Sequence, residues 1–293
     1  MIEQAIEKSA ILIEALPYIQ RFRGETVVVK FGGSIINDEQ AYENILRDVA
    51  FMECVGLRPV VIHGGGKAIT ARLAEKNIKT EFLDGHRITD QATVEVVNQV
   101  LNHEVNPHLV ELVESMNCKA KGIHGNTILE VEKKLETDVE SGEEKDWGFV
   151  GEVVSVNVDS IIAALDEEII PIVTPLGQDK EGQLYNINAD VAAGAIAREL
   201  KARKLVFLSD VPGIMMDPAN PESIISSLNK KQVEQLIEDG VIAGGMLPKV
   251  GGALKALDAG IRKTHFIDGG MPHSLLLEIF TDKGVGTEII ADE

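Results

Sequence analysis

An α/β fold on a mainly parallel sheet, interrupted by one inserted β-hairpin, is what this sequence predicts, and three observations predict it. Two β-branched runs each end in glycines and lead into a helical pattern: Thr26–Phe31 (TVVVKF) before Gly32-Gly33, and 59–63 (PVVIH) before Gly64-Gly65-Gly66. Strand, glycines and helix, twice in succession, mark parallel βαβ units. The stretch 119–156 instead alternates apolar and polar residues around the charge-rich EVEKKLETDVESGEEKDWG, which reads as an antiparallel hairpin with an exposed, mobile tip. Beyond it, strands and helices alternate again to the end of the chain.

Taken in order, the first twenty residues have a helical stripe, Ile2, Ile6, Ala10, Ile13 and Leu16, which Pro17 ends or kinks. That stripe packs either on its own domain or on another subunit. Helices follow at 38–54 and 68–76, and a longer one, capped by Thr89 or Asp90, runs to about Glu114 on Val94, Val97, Leu101, Val105 and Leu112. After the hairpin come a strand at 169–174, a helix at 189–200 and the strand Lys204–Ser209. A Pro/Gly/Asp-rich loop at 210–221 leads to helices near Lys230–Glu238 and 247–259, a strand at 264–268, a helix at 273–280 and a last strand at 286–290. No linker is evident, so two lobes should share one sheet, with a weak break near residue 200.

Charge excludes several functions. The chain has 293 residues, with 28 Lys+Arg against 47 Asp+Glu, or −19. Nucleic acid and anionic membranes repel such a molecule, so any phosphate ligand needs locally gathered cations. No apolar run approaches the ~18 residues of a membrane span, and the acidic N-terminus does not read as a signal peptide. Cys54 and Cys118 lie far apart in sequence with no CxxC or Cys/His cluster, so neither a disulfide framework nor a metal site is expected, and a reducing cytoplasm is.

Five groups of residues carry candidate chemistry. Lys30 ends a buried strand, where an ammonium must reach water or an anion; Gly32-Gly33 beside it admits a phosphate to backbone N–H groups. Gly64-Gly65-Gly66 opens a helix, an anion-binding position, while the adjacent His63 reads as structural. Arg87 in DGHRITD either forks onto a ligand carboxylate or pairs with Asp84 or Asp90. In YNINAD, Asn188 suits an N-cap and Asp190 a first-turn acid; alternatively Asn186 and Asn188 orient a ligand while Asp190 organises cations. Lys249 in GGMLPK sits in a helix's first turn, where the dipole disfavours it by about 0.3–1 kcal/mol unless an anion is present. Together these put two lysines, an arginine, a carboxylate and two glycine loops at strand ends and helix starts, where open α/β sheets collect ligands. Phosphoryl transfer needs mainly positioning and cations, and a carboxylate acceptor needs no general base.

The order of VVVKFGGS, VVIHGGG, DGHRITD, GFVGEV, YNINAD, LSDVPGI and AGGMLPKV resembles the amino acid kinase family, and closely its acetylglutamate kinase branch. The resemblance implies a three-layer αβα sandwich and phosphorylation of the γ-carboxylate of N-acetyl-L-glutamate by ATP, with Mg2+ carried by the nucleotide, in arginine synthesis. Carried over, Lys30 and Lys249 would hold the transferring phosphoryl group, and Asp190 would position both. Gly65, Gly66, Arg87, Asn186 and Asn188 would bind acetylglutamate, with Arg87 on its α-carboxylate. Gly32, Gly33, Asp210, Val211, Pro212, Gly213, Ile214 and Met215, with Val241, Ile242 and Ala243, would bind the nucleotide. The N-terminal stretch resembles that of arginine-inhibited members, whose helices interlace dimers into a homohexamer, a trimer of dimers; His265, Glu278 and Gly284 would then hold L-arginine. The implied organisation is a 1–24 oligomerisation helix, a 25–200 acetylglutamate-binding and dimerising lobe, and a 201–293 lobe for ATP and arginine. Members of some lineages also bind a PII signalling protein. The chain departs from the family pattern at His86, Lys67 and 122–127. Carbamate, aspartate, glutamate and uridylate are the competing acceptors.

Overall fold

The computed structural model describes residues 2–33, 35–83, 86–137, 144–217, 219–244, 246–281 and 284–291. The expected hairpin tip at 138–143, and Asp84, Gly85 and Gly245 of the quoted motifs, lie outside the described residues. The chain runs α1 (Ile2–Phe22), β1 (Thr26–Phe31), α2 (Glu39–Cys54), β2 (Arg58–His63), α3 (Gly66–Glu75), β3 (Phe82–Leu83), β4 (His86–Arg87), α4 (Gln91–Val100), α5 (Asn106–Ser115), β5 (Ala120–Ile123), β6 (Leu129–Thr137) and β7 (Glu144–Val156). It continues through α6 (Asp159–Asp166), β8 (Ile170–Val173), β9 (Leu176–Gln178), β10 (Leu184–Asn186), α7 (Ala189–Glu199), β11 (Lys204–Ser209), β12 (Ser227–Asn229), α8 (Lys230–Glu238), α9 (Met246–Asp258), β13 (Lys263–Asp268), α10 (Ser274–Ile279) and β14 (Thr287–Ile290).

Among the described residues, eight strands form one sheet in the order β12-β14-β13-β11-β1-β2-β8-β5. Only the β13–β14 pair is antiparallel. The strand order turns at β1, with β2 on one side and β11 on the other, so both halves of the chain reach the same crevice. The hairpin β6–β7 is antiparallel as expected and closes a small barrel with β9 and β10, two strands too short to show a period in the sequence.

Alternation along β1 sets the layers. Val28 joins a core with Ala193, Ile196, Val233, Val250 and Ala253 of α7, α8 and α9. Val27, Val29 and Phe31 join a core with Leu46, Val49, Leu109, Leu275 and Ile279 of α2, α5 and α10. Helices thus cover both faces, the three-layer αβα sandwich expected. A third cluster, Ile69, Leu73, Val94, Val97 and Leu101, packs α3 on α4.

Three local expectations need correction or choice. Pro17 does not end α1, which continues to Phe22. Beyond the proline the last turn is anchored in the second core by buried Phe22 and partly buried Tyr18, which offsets the lost backbone bond. The remaining stripe does not lie back on its own domain, because Ile2, Ile6, Ile13 and Leu16 are exposed. Asp90, not Thr89, caps the long helix, accepting from Thr93 N at 2.8 Å; that helix contains an unforeseen π-helical turn, Leu101–Val105.

Candidate active site

Lys30 lies two residues beyond Val28 and shares its face of the sheet, so it enters the layer of α7 and α9. There its ammonium pairs with Asp190 at 2.6 Å, the two side chains 13% and 11% exposed. A lysine ending a buried strand has therefore found an anion rather than the solvent. Asp190 is fixed by its place in the first turn of α7, whose N-cap Asn188 accepts from Asp190 N at 2.8 Å.

The two glycine loops touch. A Cβ on Gly32 would lie 3.2 Å from the Gly64 Cα and 3.7 Å from the Lys30 ammonium, so backbones meet where side chains would hold them apart. Gly33 has φ +63°, a left-handed conformation that glycine adopts without strain. Gly65 caps α3 without a side-chain bond, leaving first-turn N–H groups available to an anion.

A buried polar network supports the second loop. Asn106 Nδ2 donates to the Ile172 carbonyl at 2.9 Å and lies 3.1 Å from His63 Nε2, which must accept. His63 Nδ1 therefore carries the proton and donates to the Gly64 carbonyl at 2.9 Å. Burial holds His63 down to about 4, so it is neutral and structural, as its sequence context implied. Thr174 donates to Asn102 at 2.7 Å and accepts from Gly125 N at 2.8 Å, which ties the π-helical turn to the hairpin base.

Arg87 is buried, and burial pulls its guanidinium below the ordinary value without neutralising it. Nη2 donates to the Gly66 carbonyl at 2.9 Å and to Thr70 Oγ1 at 2.8 Å, and the group stacks on Phe82 with its carbon 4.7 Å from the ring centre. Nη1 is buried with no partner among the described residues. No carboxylate among those residues pairs with Arg87; the Asp90 carboxylate is engaged as the α4 cap. A guanidinium held on one edge and unmet on the other is set for an anionic oxygen.

These groups line a cavity of about 320 Å3 that collects Lys30, Gly32, Gly33, Gly65, Gly66, Arg87, Asn186, Asn188 and Asp190. Thr70, Phe82, Leu101 and Pro175, which shape the cavity or hold Arg87, were not foreseen. Leu101 had a signal, but its helical period read as core alone.

Of the expected nucleotide residues, Gly32 and Gly33 line that cavity, whereas those of 210–215 and 241–243 lie outside its lining, as does Lys249. Lys249 stands in the first turn of α9, 3.3 Å from Asp210 Oδ1, an acid that offsets the dipole mismatch. One turn on, a Cβ at Gly252 would lie 3.3 Å from Asp190 Cβ, so the Lys249 end of α9 abuts the acid that holds Lys30. In the loop after β11, Val211 and Pro212 are half-buried, Gly213 is buried, and Met215 bridges to Ile224. Ile214 and Ile242 are 2% exposed and belong to the first core, and their amides are taken, by Thr287 Oγ1 at 2.8 Å and by the Leu236 carbonyl at 3.0 Å, so both serve as buried anchors of their segments. Val241 is half-buried and Ala243 exposed.

A second cavity of about 920 Å3 lies between the last turn of α1 and the amino ends of β11 and β13, lined by Tyr18, Arg21, Phe22, Lys204, His265, Glu278, Gly284 and Glu288 among others. Glu278 is not an exposed helix acid: it is buried, with Oε1 2.6 Å from His265 Nδ1 and Oε2 accepting from Val285 N at 2.8 Å and Gly286 N at 3.2 Å. Burial pushes its carboxyl up, but His265 and the two amides outweigh that and hold it below the usual range. His265 is lowered, by burial first, and its Nε2 is buried without a partner among the described residues.

The model of the amino acid kinase family matches residues 25–268. A protein of Heliobacterium modesticaldum named acetylglutamate kinase is 46% identical over 98% of this chain and 99% of its own length. One of the same name from Akkermansia muciniphila is 43% identical over 100% and 98%. Among solved structures, the N-acetylglutamate synthase of Neisseria gonorrhoeae complexed with coenzyme A and L-arginine is similar at a TM-score of 0.79 and 25% identity, over 96% of this chain; the chain spans only 65% of the synthase. Carbamate kinase from Giardia lamblia bound to AMP-PNP, at a TM-score of 0.65 and 16% identity over 92% of this chain and 99% of that one, shares the fold. By the family model and by relatives matched over nearly their whole length, the chain belongs to the amino acid kinase family and, within it, to the acetylglutamate kinases.

Proposed function

We propose that the chain transfers the γ-phosphoryl group of MgATP to the γ-carboxylate of N-acetyl-L-glutamate, giving an acyl phosphate in arginine biosynthesis. One observation carries the reading: the Lys30–Asp190 pair, two glycine loops and the unmet edge of Arg87 share one cavity of acceptor size. The names of the relatives supply the acceptor.

In this mechanism Arg87 Nη1 takes the α-carboxylate of the acceptor, while Gly65, Gly66, Asn186 and Asn188 orient the rest. The γ-carboxylate is already ionised, so no residue removes a proton, in keeping with a neutral, enclosed His63. Lys30 and Lys249 bind the oxygens of the transferring group and stabilise charge moving from the acceptor to the leaving phosphate. Asp190 aims Lys30, and the amides of Gly32 and Gly33 meet the nucleotide phosphates. The segments 210–215 and 241–243 hold the nucleotide, and Mg2+ arrives with it. Residues 25–200 then form the acceptor lobe and 201–293 the nucleotide lobe of a cytoplasmic enzyme.

An ADP-release assay tests this. N-acetyl-L-glutamate should give the highest kcat/KM in a panel with carbamate, aspartate, glutamate and uridylate. Lys30→Ala and Lys249→Ala should each lose about a hundredfold or more in turnover, roughly 3 kcal/mol. A uridylate preference, or near wild-type turnover in both variants, rejects the proposal.

The larger cavity supports a second reading, feedback inhibition by L-arginine. Glu278 is an ionised, preoriented carboxylate suited to a guanidinium, and Arg21 and Lys204 on the same walls suit an α-carboxylate. The helix α1 contributes Tyr18, Arg21 and Phe22 to this cavity and leaves its apolar stripe exposed. Pairing of that stripe with another copy of the chain, in a homohexamer, would link assembly to arginine binding.

A further inference from the structure

Sixty-four positions separate Cys54 from Cys118, and their spacing holds no motif, yet the fold brings their sulfurs to 3.9 Å. Cys54 ends α2, and Cys118 lies in the turn between α5 and β5. Both are free thiols, Cys54 exposed and Cys118 partly buried. Glu53 joins them, so that one ligand atom from each of the three residues lies within 4.8 Å of the other two. We propose that Glu53, Cys54 and Cys118 form a binding site for one thiophilic divalent cation, Zn2+, with water in the fourth position.

Two thiolates at about 2.3 Å from a tetrahedral zinc stand about 3.8 Å apart, the separation present here. A disulfide, at about 2.05 Å, would require the two sulfurs to close by nearly 2 Å, so the pair as it stands is unbridged. Chemistry agrees, because thiolate and carboxylate are each zinc ligands, at about 2.3 Å and 2.0–2.2 Å. Glu168 faces Glu53 across a cavity of about 270 Å3 that both line. Lys119 is the counter-charge that acts on Glu53, and Arg58 on the same cavity is paired with Asp166 at 2.6 Å, which leaves two carboxylates and two prospective thiolates against Lys119. A divalent ion would relieve that imbalance, and the exposure of Cys54 leaves it a way in.

The site stands at the amino end of β2, whereas Gly64-Gly65-Gly66 extends from its carboxyl end and meets the Gly32-Gly33 loop of β1. Six residues of strand, about 20 Å, separate the two. The ion would therefore fasten α2 to the turn before β5 without touching the reacting groups.

The test uses the full chain, reduced and freed of metal, with Co2+ as the spectroscopic stand-in for Zn2+. One equivalent per chain should give sulfur-to-cobalt charge-transfer absorption that Zn2+ displaces. The absorption should be lost in Cys54→Ser/Cys118→Ser and weakened in Glu53→Gln. Zn2+ should raise the wild-type melting temperature but not that of the double variant, with ADP-release activity unchanged. No thiolate absorption, absorption that survives in the double variant, or closure to a disulfide in air without cobalt uptake would overturn the proposal. If the double variant does not fold, alkylation decides: Zn2+ should shield both wild-type thiols from iodoacetamide, and equal rates with and without it refute the site.

Discussion

At the carboxyl ends of β1 and β2, a guanidinium is buried with a donor to spare: Arg87 is held through Nη2, and its Nη1 is unmet among the described residues. At the amino ends of β11 and β13, a carboxylate is buried with both oxygens taken, one by His265 and the other by two backbone amides. Leaving a buried donor unmet costs about 1–3 kcal/mol, a cost an incoming carboxylate would remove. Glu278 carries no such debt. It is a stable ionised group in the folded chain, and a ligand there must add to its bonds or displace His265. On the proposed reading, the first cavity meets a substrate anion with an unmet donor, whereas the second meets a guanidinium with a carboxylate already held in place.

The sharpest way to break this contrast is Arg87→Lys. An ammonium cannot hold Gly66 and Thr70 while offering a second edge to the ligand. The acceptor KM should rise roughly thirtyfold to a hundredfold, about 2–3 kcal/mol, with kcat changed less. An unchanged KM in steady-state ADP release would remove Arg87 from the acceptor site.

Acidification sharpens the same contrast through stability. His63 is neutral in the folded chain to about 4, against 6.5 for the free group. Below pH 6.5 the unfolded chain therefore binds a proton that the folded chain refuses, and stability falls as pH falls. Between pH 6.5 and 5 the loss from His63 is about 2 kcal/mol. His265 is shifted the same way and adds to it. Glu278 is depressed, so its contribution persists through this window and is lost only below the ordinary carboxylate range. Urea unfolding at pH 7 and pH 5 measures the difference; equal stabilities would mean that His63 is not enclosed.

A smaller effect belongs to the second cavity. Glu278→Gln should weaken L-arginine binding roughly tenfold, about 1.5 kcal/mol, in calorimetry. Removal of residues 1–20 should abolish both arginine inhibition and the hexamer. Retention of either the hexamer or full inhibition after truncation would separate α1 from regulation.

The elements legible in the sequence are those with local causes. TVVVKF followed by two glycines is a strand and turn in any context, and Asn188-Ala189-Asp190 caps a helix by its own chemistry. The alternation that makes β1 a strand also places Lys30 on the side of α7, so its partner was within reach of sequence reasoning. What was not legible depends on distant contacts. Pro17 continues a helix because Phe22 is anchored elsewhere, and Glu278 is buried because β13 brings His265 beneath it. The approach of Gly32 to Gly64, and of Cys54 to Cys118, exists only once β1, β2 and β5 stand in one sheet. The π-helical turn has no period in the sequence to mark it.

In the proposed mechanism two lysines, Lys30 in β1 and Lys249 in α9, act on a single phosphoryl group. A crystal structure with MgADP, aluminium fluoride and N-acetyl-L-glutamate tests it most directly. The account predicts both ammonium groups, Lys30 and Lys249, at hydrogen-bond distance, about 2.7–3.2 Å, from the fluoride group in line between nucleotide and acceptor. A closed complex in which either ammonium points away from that group contradicts it.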